Sequence, residues 1–177
     1  MFRTQVAATL FALVVGLHPS VAPAQPAIET AGISSSEESK KVVLTLLEEV
    51  WNKGRVELCD ELLAPTAVVH IAGHDYPSGP EESKRVVSYW RSVLTGFRFQ
   101  IGEVVADGDR VVAHVPFEGV QIQPILDIPA TGRKVRLDET LICRVDHGKI
   151  VEIWESFDES GLRNQLTADE TKQAASK

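Results

Sequence analysis

Glu139 is the carboxylate in this chain whose neighbours suggest chemistry. It belongs to the run 135–145, where apolar and polar residues alternate. Two-residue spacing puts it on one sheet face with Leu137, Leu141 and Cys143. A carboxyl held among apolar side chains is desolvated, and its pKa rises toward the range useful for proton transfer. A second placement stays open. A twist or bulge would turn Glu139 to solvent, or into an ion pair with Arg136 or Arg144. Asp138 alternates to the opposite face. His70, on a short β-branched run at 66–71, is the other proton-transfer candidate, because imidazole donates and accepts near neutral pH. Its alternative is a core histidine satisfied by one hydrogen bond.

Other residues could shape a binding space around these two. His74 and Tyr76 fall in a Gly- and Pro-rich loop at 73–80, the expected mouth. Trp90 and Trp154 each offer a large apolar surface with one donor, as a pocket wall or as core. Trp51 reads as core, His114 as outer-face, His147 as a turn residue and Asp158 as a helix cap. No His or Cys spacing matches a metal site, and nothing calls for a cofactor. Cys59 and Cys143 sit among apolar residues, so a disulfide and two buried thiols both remain open.

These residues need elements to position them. Ser34, Ser35, Ser36 and Glu37 form a capped helix start. Val42, Val43, Leu46, Leu47, Val50 and Trp51 recur at helical spacing as far as Asn52, Lys53 and Gly54. A short helix at 56–63, a strand at 66–71 and a third helix at 81–94 follow. The period then changes to two. Strands are expected at 97–105 and 110–118 around the turn Asp107-Gly108-Asp109, and at 135–145 and 149–157 around a turn at 146–149. The Pro-containing stretch 119–131 reads as a lid or crossover loop. One helical turn at 161–166 ends the fold. Helices gathered on one side of an antiparallel sheet make an α+β domain, and a strongly twisted sheet leaves a pocket between the layers.

The N-terminus reads as an export signal. Arg3 precedes an apolar run at 6–17 too short for a spanning helix, and Ala22-Pro23-Ala24 supplies a small-residue cleavage site. The expected organisation is a signal peptide at 1–24, a disordered leader at 25–36, one domain at 37–166 and a flexible tail at 167–177. The protein would be secreted or periplasmic, with no membrane span after cleavage. Losing Arg3 takes the formal net charge of the chain from −7 to −8. An acidic domain without a basic run is unsuited to nucleic acid.

Several segments together resemble a family. They are Val50-Trp51-Asn52-Lys53-Gly54, Val68-Val69-His70, Gly79-Pro80-Glu81, the stretch 107–112, Ile128-Pro129-Ala130-Thr131-Gly132-Arg133, and the stretch 146–158. In order and spacing they are similar to the SnoaL-like polyketide cyclases, or ester cyclases, of the NTF2-like superfamily. The resemblance implies an α+β cone, with three N-terminal helices packed on a strongly curved, mainly antiparallel sheet around an apolar pocket, often in a homodimer. It implies ring closure by intramolecular aldol chemistry without metal or cofactor. In such cyclases the general acid/base is an acid three residues before the arginine matching Arg144. That position is Leu141 here, and Gln121 stands where many relatives have His; both become candidate pocket residues. Two functions follow. The first is an exported enzyme moving a proton on a small carbonyl or ester compound through Glu139, with His70 as its partner. The second is a binding protein for a hydrophobic ligand.

Overall fold

The computed structural model describes residues 35–168. The expected signal peptide, nearly all of the leader and the tail beyond 168 lie outside the described residues. The first helix, α1 (Ser36–Thr45), opens with a reciprocal cap. Ser35 Oγ accepts from the Glu38 amide at 3.2 Å, while Glu38 accepts from the Ser35 amide at 3.0 Å. The helix continues as a π-helical stretch at Leu46–Asn52. Gly54 then turns the chain with a φ of 76°, a left-handed conformation that suits glycine. A 3-10 turn (Val56–Leu58) runs into the single turn of α2 (Cys59–Leu62). The third helix, α3 (Pro80–Val93), starts with proline at its first position. A fourth, α4 (Glu159–Thr167), closes the domain, with Asp158 accepting from the Gly161 amide at 2.8 Å.

The expectation of three N-terminal helices is thus revised. The first changes its hydrogen-bonding pattern midway, the second shrinks to two short turns, and a fourth helix lies at the C-terminus.

Among the described residues, nine strands form two sheets. They are β1 (Leu63–Ile71), β2 (His74–Pro77), β3 (Leu94–Phe99), β4 (Val104–Asp107), β5 (Arg110–His114), β6 (Phe117–Gln121), β7 (Lys134–Leu137), β8 (Glu139–Asp146) and β9 (Lys149–Phe157). The larger sheet has the order β2-β1-β9-β8-β5-β4, and the smaller β3-β6-β7. Every pairing is antiparallel except β1 with β9. Three of the four expected long strands are broken where they pass from one sheet to the other. Pro116, which has no amide proton for the ladder, lies in the β5–β6 break, and Asp138 separates β7 from β8. These bends curve the sheet.

The expected loop at 73–80 contains β2. Ala72 and Gly73 both have positive φ, 51° and 81°, and link Ile71 to its partner His74 in a two-residue hairpin. The helices fill the hollow of the curved sheet. Val43, Leu47, Val50, Val87 and Val93 are buried there in one cluster with Val111, Cys143 and Ile150.

Candidate functional site

Four hydrogen bonds anchor the helical wall of the hollow. Asn52 Oδ1 accepts from the Phe99 amide at 2.7 Å, and its Nδ2 donates to the Phe99 carbonyl at 3.1 Å. Arg91 Nη1 donates to the carbonyls of Trp51 and Asn52, at 2.7 and 2.9 Å. These bonds satisfy carbonyls left open at the helix end. They also hold Trp51 against Phe97 and Phe99 of β3, at 5.6 and 5.3 Å between ring centres.

The space between helices and sheet is a cavity of about 500 Å³. Val69, Leu141, Ile153, Trp51, Trp90 and Phe99 form much of its wall. Its inner end narrows against a ring of aromatics, Trp51, Trp90, Phe97, Phe99, Phe117 and Phe157. Two carboxyls share that end, Glu139 and Glu155. Register explains the meeting. Leu141 lies opposite Glu155 and Glu139 opposite Phe157, so the two acids are diagonal neighbours on one face of adjacent strands, a spacing of roughly 7–8 Å between such residues.

Glu139 is only 7% exposed. Burial, and secondly the charge of Glu155, hold its carboxyl well above the usual carboxylate range. Burial pushes Glu155 up to about 7. Two carboxyls this close and this dry hold one proton between them more readily than two charges. The arrangement can therefore donate a proton from one oxygen and accept one at another. Among the described residues, no group of three or more His, Cys, Asp or Glu side chains is placed to hold a metal ion.

The structure sorts the other expected site residues by sheet face. Trp90, Leu141 and Glu139 line the cavity, and Tyr76, half exposed, stands at its mouth. His70 does not join Glu139. On β1, Val69 and Ile71 take the cavity side, so His70 projects from the opposite face. There its Nδ1 lies 2.8 Å from Asp75 Oδ1, and its ring stacks on Trp154 at 4.7 Å. Trp154 is on that outer face as well, with the Arg110 guanidinium 4.9 Å from its ring centre. Gln121 is fully buried, but it braces a loop. Its Nε2 donates to the carbonyls of Ile128 and Pro129, and its Oε1 accepts from the Thr131 amide. The stretch 119–131 is thus neither lid nor crossover: it is the end of β6 and the long hairpin loop to its antiparallel neighbour β7, tied down from inside. His74 is exposed, 6.4 Å from the Tyr76 ring, and lies outside the cavity lining. Cys59 and Cys143 are separate buried thiols, lifted by burial to about 11 and about 12.

Glu155 is the residue sequence reasoning missed. Alternation within 149–157 groups it with Ile153 and Phe157. The pairing to Glu139, however, depends on a bulge between Arg144 and Val145. An unbulged hairpin from the two-residue turn would set Leu141 opposite Trp154 and turn that tryptophan inward. The extra residue shifts the register by one. Trp154 goes out and Glu155 comes in.

The SnoaL-like polyketide cyclase profile matches residues 41–166, nearly all of the described domain. The chain belongs to this family. Solved structures agree on the fold. A SnoaL-like protein of Jannaschia sp. CCS1 superposes with a TM-score of 0.69 at 19% identity, covering 76% of this chain and 94% of its own. TsrD from Streptomyces laurentii gives 0.66 at 26% identity, covering 75% and 97%. AclR from Streptomyces galilaeus, provisionally named a hydroxylase, gives 0.67 at 18%, covering 75% and 97%. No curated protein matches the chain significantly. A shared fold does not name a reaction, which must be argued from the site.

Proposed function

We propose that this SnoaL-like protein is exported and catalyses a cofactor-free proton transfer on a small carbonyl or ester compound. The observation that carries the proposal is the Glu139–Glu155 pair at the inner end of an apolar, aromatic-walled cavity. Glu139, the more buried, donates its proton to the substrate carbonyl oxygen. Glu155 as carboxylate takes the proton from the adjacent carbon. The product is an enol, and the pair as a whole gains and loses one proton. Ring closure, isomerisation and hydrolysis by an activated water all use that donor–acceptor geometry. Turnover on a panel of ketones, β-ketoesters and esters tests it. Glu139→Gln and Glu155→Gln are each expected to lower kcat by 100-fold or more, within the usual worth of acid–base catalysis of about 10²–10⁴. Unchanged turnover in both variants would remove the role.

A second reading has its own support. Leu141 lines the cavity where the family resemblance expects the acid, and export would separate the protein from cytoplasmic polyketide assembly. On this reading the cavity binds a hydrophobic ligand without altering it. Native mass spectrometry separates the two, because a co-purified compound that is recovered unchanged supports simple binding. Export has its own test. N-terminal sequencing of protein from the extracytoplasmic fraction should begin at Gln25.

A further inference from the structure

The charge of the cavity is one-sided. Among the described residues, its lining holds four acidic side chains, Glu82, Glu139, Glu155 and Glu159, and no Lys, Arg or His. Glu82, half-buried, and Glu159, exposed, have partners, Arg85 at 2.9 Å and Arg163 at 3.2 Å. Glu139 and Glu155 differ. Among the described residues, neither side chain accepts a hydrogen bond or meets a cation. Glu139 is more than nine-tenths buried and faces the cavity. Aromatic rings enclose the same end.

Buried negative charge without a partner is unfavourable. Here the partner has to come from whatever fills the cavity. An anion would add repulsion. A neutral carbonyl can accept one hydrogen bond from the protonated member of the pair, but leaves the remaining charge unbalanced. A cation answers both features, since it pairs with the carboxylates and is attracted to aromatic faces. We infer that the ligand carries a basic amine or quaternary ammonium on an apolar frame, with its nitrogen at the inner end beside the Glu139–Glu155 pair, where it balances the single charge left when the pair holds one proton. The inference rests on the reading that the cavity holds a small molecule. It narrows that reading to nitrogen-bearing compounds.

Three probes of nearly one shape and different charge test it: choline, its uncharged isostere 3,3-dimethylbutan-1-ol, and the anion 3,3-dimethylbutanoate. The purified protein is titrated with each by NMR at about pH 8, above the titration of Glu155. Choline should bind at least about tenfold more tightly than the alcohol, and the anion should not bind. The preference should vanish in Glu139→Gln and in Glu155→Gln, the second being the substitution at the less buried site. Binding near pH 7 should release protons, because a fixed cation holds Glu155 ionised. Alcohol binding equal to or tighter than choline overturns the inference and leaves the small-molecule cavity intact. Failure of all three probes to bind the wild-type protein overturns both.

Discussion

Two carboxyls occupy one apolar space, and their titration follows from that. Outside the fold both would ionise near 4.5; inside it, burial raises Glu139 well above that value and Glu155 to about 7. Between these limits the folded chain holds more protons than the unfolded chain. Stability must then fall as pH rises through the window. Glu152 behaves oppositely. Its hydrogen bond from Arg144 lowers its pKa, so its contribution is lost only on acidification below about 4.5. Glu82 and Glu159, the other acids facing the cavity, are paired with arginines. The rise of Glu155 from 4.5 to about 7 corresponds to about 3 kcal/mol at full ionisation. Urea unfolding should show wild-type stability declining between pH 5 and 7.5 by about 2–3 kcal/mol. A Glu139→Gln/Glu155→Gln double variant should stay nearly flat. A wild-type midpoint that climbs through this window would contradict the buried pair. Leu141→Asp would place a third acid directly opposite Glu155. At neutral pH it should cost about 2–4 kcal/mol in the same measurement.

At the level of elements, the hydrogen-bonded ends of the helices hold the cavity open in one shape. Asn52 joins the end of the first helical segment to β3 through both polar atoms of its side chain. Asn52→Ala leaves the Phe99 amide without that partner and should cost about 1–3 kcal/mol. It should also loosen Trp51, visible as a red shift in tryptophan emission. An unaltered midpoint would mean that Arg91 alone secures the turn. Gln121→Leu should speed amide exchange of Ile128 and Thr131 while leaving cavity binding intact, because Gln121 holds the β6–β7 loop and not the ligand space. Much of this architecture is legible in residue order. The cap at Ser35, the stop at Gly54 and the turn at 146–149 are local, and local chemistry determines them. The bulge after Arg144 is not local in that sense, since neither strand carries a Gly or Pro to mark it. It decides which of Trp154 and Glu155 faces the cavity. Likewise Ala72 in a left-handed turn hides the β1–β2 hairpin, and the parallel partnership of β1 with β9 joins residues some eighty positions apart.

On the scale of the whole molecule, that same register shift builds a second surface. Val105, Val112, Ile142, Trp154 and His70 are successive partners across β4, β5, β8, β9 and β1, so they form one row over the outer face of the larger sheet. Val105 is 65% exposed, Val112 42% and Ile142 38%. Isolated apolar residues on a surface are ordinary, but a continuous row is not. Charged groups flank it, with Arg144 bonded to Glu152 at 2.6 Å and Arg110 lying over Trp154. An apolar centre with a polar, arginine-containing margin is the composition of a protein interface. A two-fold axis would set the row against itself, giving the homodimer that the family resemblance implies. Sedimentation equilibrium is expected to find a dimer. Val112→Asp/Ile142→Asp should yield a monomer, because each dimer would bury four carboxylates without partners. Both positions face outward on strands whose opposite faces carry the core, so the circular dichroism spectrum should not change. Cavity binding should survive in the monomer, since no cavity-lining residue belongs to the row. A wild-type chain that sediments as a monomer at micromolar concentration would reassign the row to a different partner. Loss of ligand binding on dissociation would show that the two faces of the sheet are coupled through the strands they share.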